Sequence, residues 1–497
     1  MTRTATDDER PVDVMRERIL PTVFTAALFL SVAVFEVGPL AAPRAGSTPV
    51  MENTKPAPQN NSNKIVTPNG AQAGSTPARK LAMYEPERGA YLGAALDYSK
   101  LTGADSKIGA MADTMGAWEA QSWRENAIYV QFTPFPHDDG KFPTWDSDPK
   151  GWTAIGDFCN AAVALNAAPL LTLEPMLPRL FVDGWKPGAE AYEATRALAI
   201  KMGELEKPAF IRFAHEMNGS WYPWAEWMDK NRNLQRDPGE DTGFTAADYV
   251  VAYRNMAAIF RQYAPNVALV WCPNSGLLGG PRRDVFTPFY PGDDVVDWVG
   301  IDIYERGWHM PMPGAKLWGG QLAYALTRDE ADDRSTPDTN ESVNFYETFA
   351  VKKGKPLMLA ETGATLSYRT DLPPSTRALM NHEWKAGSWN GAEYGWMQAV
   401  YGTSTFFDHK LLQPIDKAFP LLKAIVWFQI AKHETMPVER TLPGNQKQIV
   451  WFDDAWTDYR IGGGVLEGEP PPPYADEELT LFRRLTKNNY FLSNIEK

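Results

Sequence analysis

The sequence predicts an α/β chain folded as a (β/α)8 TIM barrel with long βα loops, preceded by an N-terminal hydrophobic segment and a disordered linker. Three observations carry that prediction. Eight short, nearly unbroken apolar runs recur at residues 91–96, 127–132, 170–173, 209–213, 267–272, 296–301, 356–360 and 424–428. Runs without polar alternation fit parallel strands covered on both faces. Longer helical patterns separate them, as at residues 246–260, and several runs end in an acidic or aromatic residue, where a barrel places its chemistry.

From the first run to the last, each unit takes about 48 residues, whereas a minimal barrel needs roughly 250 residues in all. Some loops must therefore be long. Residues 307–343 and 367–418 are the expected insertions, and both follow strands, so both should lie on the catalytic face.

Composition narrows the class. Hydrophobic residues make up 44% of the 497 and charged residues 22%, ordinary globular usage. With 62 acidic against 49 basic side chains the net charge is −13. That disfavours a nucleic-acid surface, which needs clustered Lys and Arg. Two cysteines, Cys159 and Cys272, exclude a disulfide scaffold and a Cys-rich metal module, and are expected to be isolated buried thiols. The six histidines form no two-His pair at helical spacing, and His215-Glu216 lacks the second His of a zinc protease motif. No cofactor or metal is expected, and the chain should act as a monomer. The 18 Trp, 19 Tyr and 23 Phe residues suggest flat apolar platforms of the kind that sugars use.

The first eighteen residues are polar and read as a cytoplasmic N-terminus. Residues 19–35 are uncharged and apolar, flanked by Arg16 and Arg18. This is short for a bilayer span and long for a signal core, and residues 19–40 read as an anchor more readily than as a cleaved signal. Residues 41–80 hold almost no large apolar side chain and read as a flexible tether. Residues 81–497 form the catalytic domain, ending in a proline run at 470–473 and a closing helix that should clasp the barrel. The folded part is expected to be exported and held at the envelope, or secreted if the segment is cut.

The strand ends carry the chemistry. Glu174 follows strand three, Glu216 strand four, Asn274 strand five, Asp302 and Tyr304 strand six, Glu361 strand seven, and Trp427 ends strand eight. Carboxylates and aromatics on one rim suit glycoside hydrolysis, in which one carboxyl protonates the leaving oxygen and another attacks the anomeric carbon or activates water. Arg212 shares a strand face with Glu216 by alternation and should pair with Asp302 or Glu174 as internal charge balance. Spacing does not sort Trp118, Trp123, Trp152, Trp224 and Trp227 into core or cleft.

The stretch Ile211-Arg-Phe-Ala-His-Glu-Met-Asn-Gly-Ser-Trp-Tyr-Pro-Trp224 resembles the signature of glycoside hydrolase family 26. Leu359-Ala-Glu-Thr-Gly363 is similar to its nucleophile strand, and Trp298-Val-Gly-Ile-Asp-Ile-Tyr304 to its strand six. The likeness spans roughly residues 84–462. It implies a retaining, endo-acting hydrolase of a β-1,4-mannan or β-glucan, with Glu216 as acid/base and Glu361 as nucleophile. It also implies that Tyr304 supports Glu361, that His215 positions sugar and nucleophile, and that Trp221 and Trp427 wall the subsite. Mannan-cleaving members usually bring a His from strand three, where this chain has Glu174. A silent polysaccharide-binding barrel is the competing reading.

Overall fold

The computed structural model describes residues 79–98, 101, 108–205, 207–231, 236–275, 285–306, 322, 326–327, 343–369, 392–402, 414–442, 446–462 and 475–495. The expected anchor, residues 41–78 of the tether, most of both insertions and the proline run lie outside the described residues. Among those described, no helix is long and apolar enough to cross a membrane.

All eight expected runs are strands: β1 (Ala90–Leu96), β2 (Ile128–Pro134), β3 (Ala168–Glu174), β4 (Ala209–Phe213), β5 (Val267–Trp271), β6 (Trp298–Arg306), β7 (Leu357–Arg369) and β8 (Leu422–Gln429). Each pairs in parallel with the next, and β8 returns to β1 from Tyr91↔Ala424 to Leu96↔Gln429, which closes the barrel. Closure removes the sheet edges. The unbroken apolar runs follow from this geometry. Along β3, Ala168 and Leu170 turn into the barrel while Leu171 and Leu173 pack on the outer layer.

Helices α1 (Ile108–Ser122), α2 (Ile155–Ala164), α3 (Glu190–Glu204) and α4 (Ala246–Tyr263) fill that outer layer between the first five strands. The predicted pattern at 246–260 is the core of α4. Thr245 caps it, accepting from the Asp248 amide while the Asp248 side chain reaches back. The N-terminal end of the barrel is plugged by residues just before β1. The Trp298 ring donates to the Met83 carbonyl at 2.8 Å and the Tyr84 hydroxyl to the Asn266 carbonyl at 2.8 Å.

The closing helix is present at Ala475–Thr486, with Phe482 against Trp118 of α1 and Tyr401 of the Ala392–Tyr401 helix. Cys159 and Cys272 are buried free thiols. An unexpected element is the antiparallel ribbon of β9 (Ala431–Leu442) and β10 (Gln446–Asp458). β7 overshoots the barrel and pairs antiparallel with β10 through residues 366–369, so the second half of one barrel strand also starts a small separate sheet. The signal was present in Pro443-Gly444-Asn445, a turn sequence between two extended runs.

After the closing helix, the two-residue strand β11 (Phe491–Leu492) pairs with the start of β1. Gly89 makes that possible: its φ is +80° and a β-carbon there would collide with the Tyr490 carbonyl. Gly89→Ala should therefore cost about 1–3 kcal/mol, read as a lower thermal midpoint; an unchanged midpoint would show that the C-terminal segment is not held at this point.

Candidate active site

Above the apolar layers, the barrel interior turns polar. Arg212 of β4 is fully buried, and its guanidinium reaches Asp302 of β6 at 3.0 Å and Glu361 of β7 at 2.6 Å. Its Nε donates to Thr172 of β3 at 2.8 Å, and its cation lies 5.3 Å from the Phe132 ring of β2. Four other strands of the barrel, β2, β3, β6 and β7, are thus tied to one side chain of β4. The expected partner Asp302 is found; the second partner is Glu361, whereas Glu174 acts on Arg212 only at longer range. Burial and the Glu361 charge push the Asp302 carboxyl up, and Arg212 opposes them.

Beyond Phe213, β4 ends in an unusual bend. Ala214 and Glu216 both adopt positive φ, at 47° and 54°. Left-handed backbone at a non-glycine residue persists only where surrounding contacts impose it. Here the Glu216 amide donates to the Cys272 carbonyl at 2.9 Å, and the Trp224 ring donates to the His215 carbonyl at 2.7 Å. Tyr222 stacks on Trp224 at 4.2 Å between centroids. Gly219 has to be glycine, because a β-carbon there would lie 2.5 Å from the Trp221 ring.

The bend delivers Glu216 into a set of donors. Asn274 Nδ2 donates to Oε1 at 2.7 Å and Trp221 Nε1 to Oε2 at 2.8 Å. Burial, then the Glu361 charge, raise the carboxyl, while Asn274, Trp221 and Arg212 lower it; the balance is about 7. Glu361 instead accepts from the Tyr304 hydroxyl at 2.6 Å and faces Arg212. His215 meets the Tyr222 hydroxyl at 3.2 Å and lies 3.7 Å from Glu361. Burial, with Arg212 and Lys432 adding to it, pushes His215 well below its usual value, so the imidazole is neutral.

The structure therefore brings together Glu216, Glu361, His215, Trp221, Tyr304 and Asn274. Glu174 joins them by alternation, since Ala168, Leu170 and Thr172 before it face the interior. Burial pushes Glu174 up to about 8, with Glu361 adding to the effect and Arg212 and Lys432 opposing it. Trp427 is placed elsewhere. It stacks on Tyr401 of an outer helix, donates to the Tyr459 carbonyl, and leaves the inward position to Phe428. The one-residue phase of the strand decides this, and a Trp at a strand end does not reveal its phase. Phe428 packs instead on Tyr304, Tyr459 and Phe132, with the Lys432 ammonium 4.9 Å from its ring.

Of the unsorted tryptophans, Trp118 and Trp224 are core, Trp123 is exposed, and Trp152 is partly exposed with its edge against His137. Lys432 comes from the unforeseen ribbon and had no sequence signal. Asn218 did have one, lying inside the His-Glu-Met-Asn-Gly stretch, but its partner Asn274 is distant in sequence. Within the same mouth, His215, Asp302 and Glu361 each offer an atom within 4.8 Å of the others, a spacing open to a metal. Arg212 already supplies a cation to both carboxylates, so the donor set is balanced by the protein itself.

Because Arg212 neutralises two buried acids, Arg212→Met should cost about 3–5 kcal/mol at pH 7. The freed Asp302 carboxyl would then titrate still higher in the folded state than in the unfolded chain. Parent and variant carry the same Asp302 penalty wherever both folded states keep the proton, and they part only as pH rises through the parent's own raised value, so the deficit should grow above that value. Urea midpoints followed from pH 4 to pH 9 check this, and a deficit unchanged across that range would contradict it.

Comparison with known proteins shows what this chain is similar to. Residues 194–315 match the sequence profile described as Glycosyl hydrolase family 26. Endoglucanase H of Acetivibrio thermocellus is 29% identical over 215 residues, covering 42% of this chain and 21% of that protein. A Beta-1,3-xylanase of Alcaligenes sp is 28% identical over 105 residues, covering 21% of this chain and 18% of that protein. The chain thus spans about a fifth of the length of these curated relatives. Among solved structures, a Cellulomonas fimi endo-beta-1,4-mannanase double mutant aligns with a TM-score of 0.44 and 15% identity, over 82% of this chain and 73% of that one. The segment that matches glycosyl hydrolase family 26, residues 194–315, contains the bend of Glu216.

Proposed function

We propose that the chain is a retaining, endo-acting glycoside hydrolase of a β-linked polysaccharide, a β-1,4-mannan or a β-glucan. The observation that carries the reading is the unequal setting of two buried carboxyls. Glu216 is pushed up to about 7 and so keeps a proton at pH values where an ordinary carboxyl has lost it. Glu361 stands between a guanidinium and a hydroxyl donor, partners suited to a carboxylate.

In the first step Glu361 attacks the anomeric carbon while Glu216 gives its proton to the glycosidic oxygen. The carbon–oxygen bond to the leaving sugar breaks and a glycosyl ester forms. In the second step Glu216 takes a proton from water, the oxygen of that water attacks the same carbon, and the ester bond breaks. Two inversions give net retention. Neutral His215 and Tyr304 would orient the sugar and Glu361, and Trp221 would line the subsite. Two buried polar atoms at this mouth, His215 Nδ1 and Glu174 Oε1, have no hydrogen-bond partner among the described residues. Sugar hydroxyls are groups that would satisfy both. Glu174 presents a protonated carboxyl near neutral pH, able to donate as well as accept, where an imidazole would offer a different pattern.

The relatives named endoglucanase and β-1,3-xylanase support a β-glycan substrate without choosing the sugar. The silent polysaccharide-binding barrel is the competing reading. Residues 19–40 would hold the enzyme at the envelope, and membrane fractionation of the full chain tests that part: protein found free and lacking its first forty residues would count against it.

Hydrolysis of mannan, glucomannan, lichenan, β-1,3-xylan and cellulose is the direct test. Activity on at least one, with products of the β configuration when first formed, is expected, and binding without hydrolysis would establish the silent barrel. Glu361→Ala should lower turnover by at least about 10⁴-fold and Glu216→Ala by about 10²–10⁴-fold, with binding retained. Because the acid must be protonated, kcat/KM should fall as pH rises through about 7; a basic limb centred above pH 9 would remove Glu216 from the role.

A further inference from the structure

We infer that Asn218 is a positioning residue for the acid/base: it clasps the main chain of Asn274 and thereby sets the amide that holds Glu216. The inference rests on the reading of Glu216 given above and extends it by one residue. Asn218 Nδ2 donates to the Asn274 carbonyl at 2.9 Å, and its Oδ1 accepts from the Asn274 amide at 2.9 Å. Both functions of one side-chain amide are thus bonded to a single residue's backbone. Asn274 then turns its own Nδ2 onto Glu216 Oε1 at 2.7 Å.

The topology explains why such a clasp is needed. Paired strands β4 and β5 run together only as far as Arg212↔Val270. Past that point the chain bends through Ala214 and Glu216, and Asn274 is drawn towards β6 by its bridge to Asp302. The Glu216 amide on the Cys272 carbonyl is the last main-chain bond of the pair. Asn218 takes over with a side chain that mimics a strand neighbour, donating and accepting as a ladder residue would.

A residue that merely braces a loop would change stability and leave the acid's proton affinity as it was. Asn218 predicts more, because the Asn274 donor favours the ionised form of Glu216. The other groups acting on Glu216 come from every side: Glu361 of β7, Arg212 of β4, Asp302 of β6, Glu174 of β3 and Tyr222 of the following loop. Among the described residues Asn218 hydrogen-bonds to the main chain of Asn274 and to none of these groups, so their contributions should survive its removal.

The experiment compares Asn218→Ala, Asn274→Ala and the double variant in the full chain. Each single variant should move the basic limb of kcat/KM upward by about 0.5–1 pH unit, and the double variant should add nothing further, since both changes remove the same donor. On polysaccharide, kcat should fall about tenfold with little change in KM. On 2,4-dinitrophenyl β-cellobioside, whose leaving group needs no proton, the loss in the first step should nearly vanish. Additive shifts, or an Asn218→Ala profile identical to the parent, would overturn the inference. Should Asn218→Ala not fold, Asn218→Asp keeps the acceptor for the Asn274 amide and loses the donor, and an unshifted Glu216 in it would likewise overturn the clasp. Carbon-13 titration of labelled glutamate carboxyls, with Glu216 assigned by its loss in Glu216→Gln, reads the shift without substrate. A parent inactive on every glycan would sink the hydrolase reading while this titration still decides the clasp.

Discussion

One buried cation organises the mouth of this barrel. A guanidinium taken wholly out of water carries a desolvation cost of several kcal/mol unless charges and donors surround it. Arg212 meets that condition with Asp302, Glu361 and Thr172, supplied by strands on either side of its own. The arrangement works in reverse as well. Two acids set this deep would repel each other without a cation between them, and Asp302 and Glu361 share one because β4 carries an arginine two residues before its bend.

The same interior shows how one residue type is put to different uses. Three glutamates end three strands. Glu174 has a buried oxygen with no partner among the described residues and is pushed up to about 8; Glu216 accepts from two N–H donors and sits near 7; Glu361 is held by a cation and a phenol. Their side chains are chemically identical, and neighbours alone separate them. The bend after β4 is central to that separation, because its two left-handed residues carry Glu216 out of the strand line and under Asn274 and Trp221. Aromatic packing of Tyr222 on Trp224, and the bare α-carbon of Gly219 beneath Trp221, keep the bend in a conformation that an isolated chain would leave.

Much of this was legible in the residues. All eight strands appeared as apolar runs because a closed parallel barrel buries both faces of every strand, which writes an unbroken signal into the chain. The two carboxyls appeared because strand ends are where such a barrel presents its side chains, and alternation put Arg212 within reach of Asp302 or Glu174 without choosing between them. Less was legible wherever the deciding contact joined distant segments. The β9–β10 ribbon, with Lys432 leaning over Phe428, belongs to no barrel repeat, and its turn sequence was the only trace.

Trp427 marks the boundary between the two kinds of knowledge. Its position in the chain, at the end of β8, followed from sequence alone; the side of the sheet it faces did not, because both faces are apolar and the pattern carries no phase. Register with β1 and β7 settled that question and turned Phe428 inward. The amino-acid order thus determined which segments become strands and which residues reach their ends, since those depend on local burial and period. Tertiary structure alone decided which of those side chains meet, and with what proton affinity, because charge, burial and donors are contributed by strands that lie far apart in the chain.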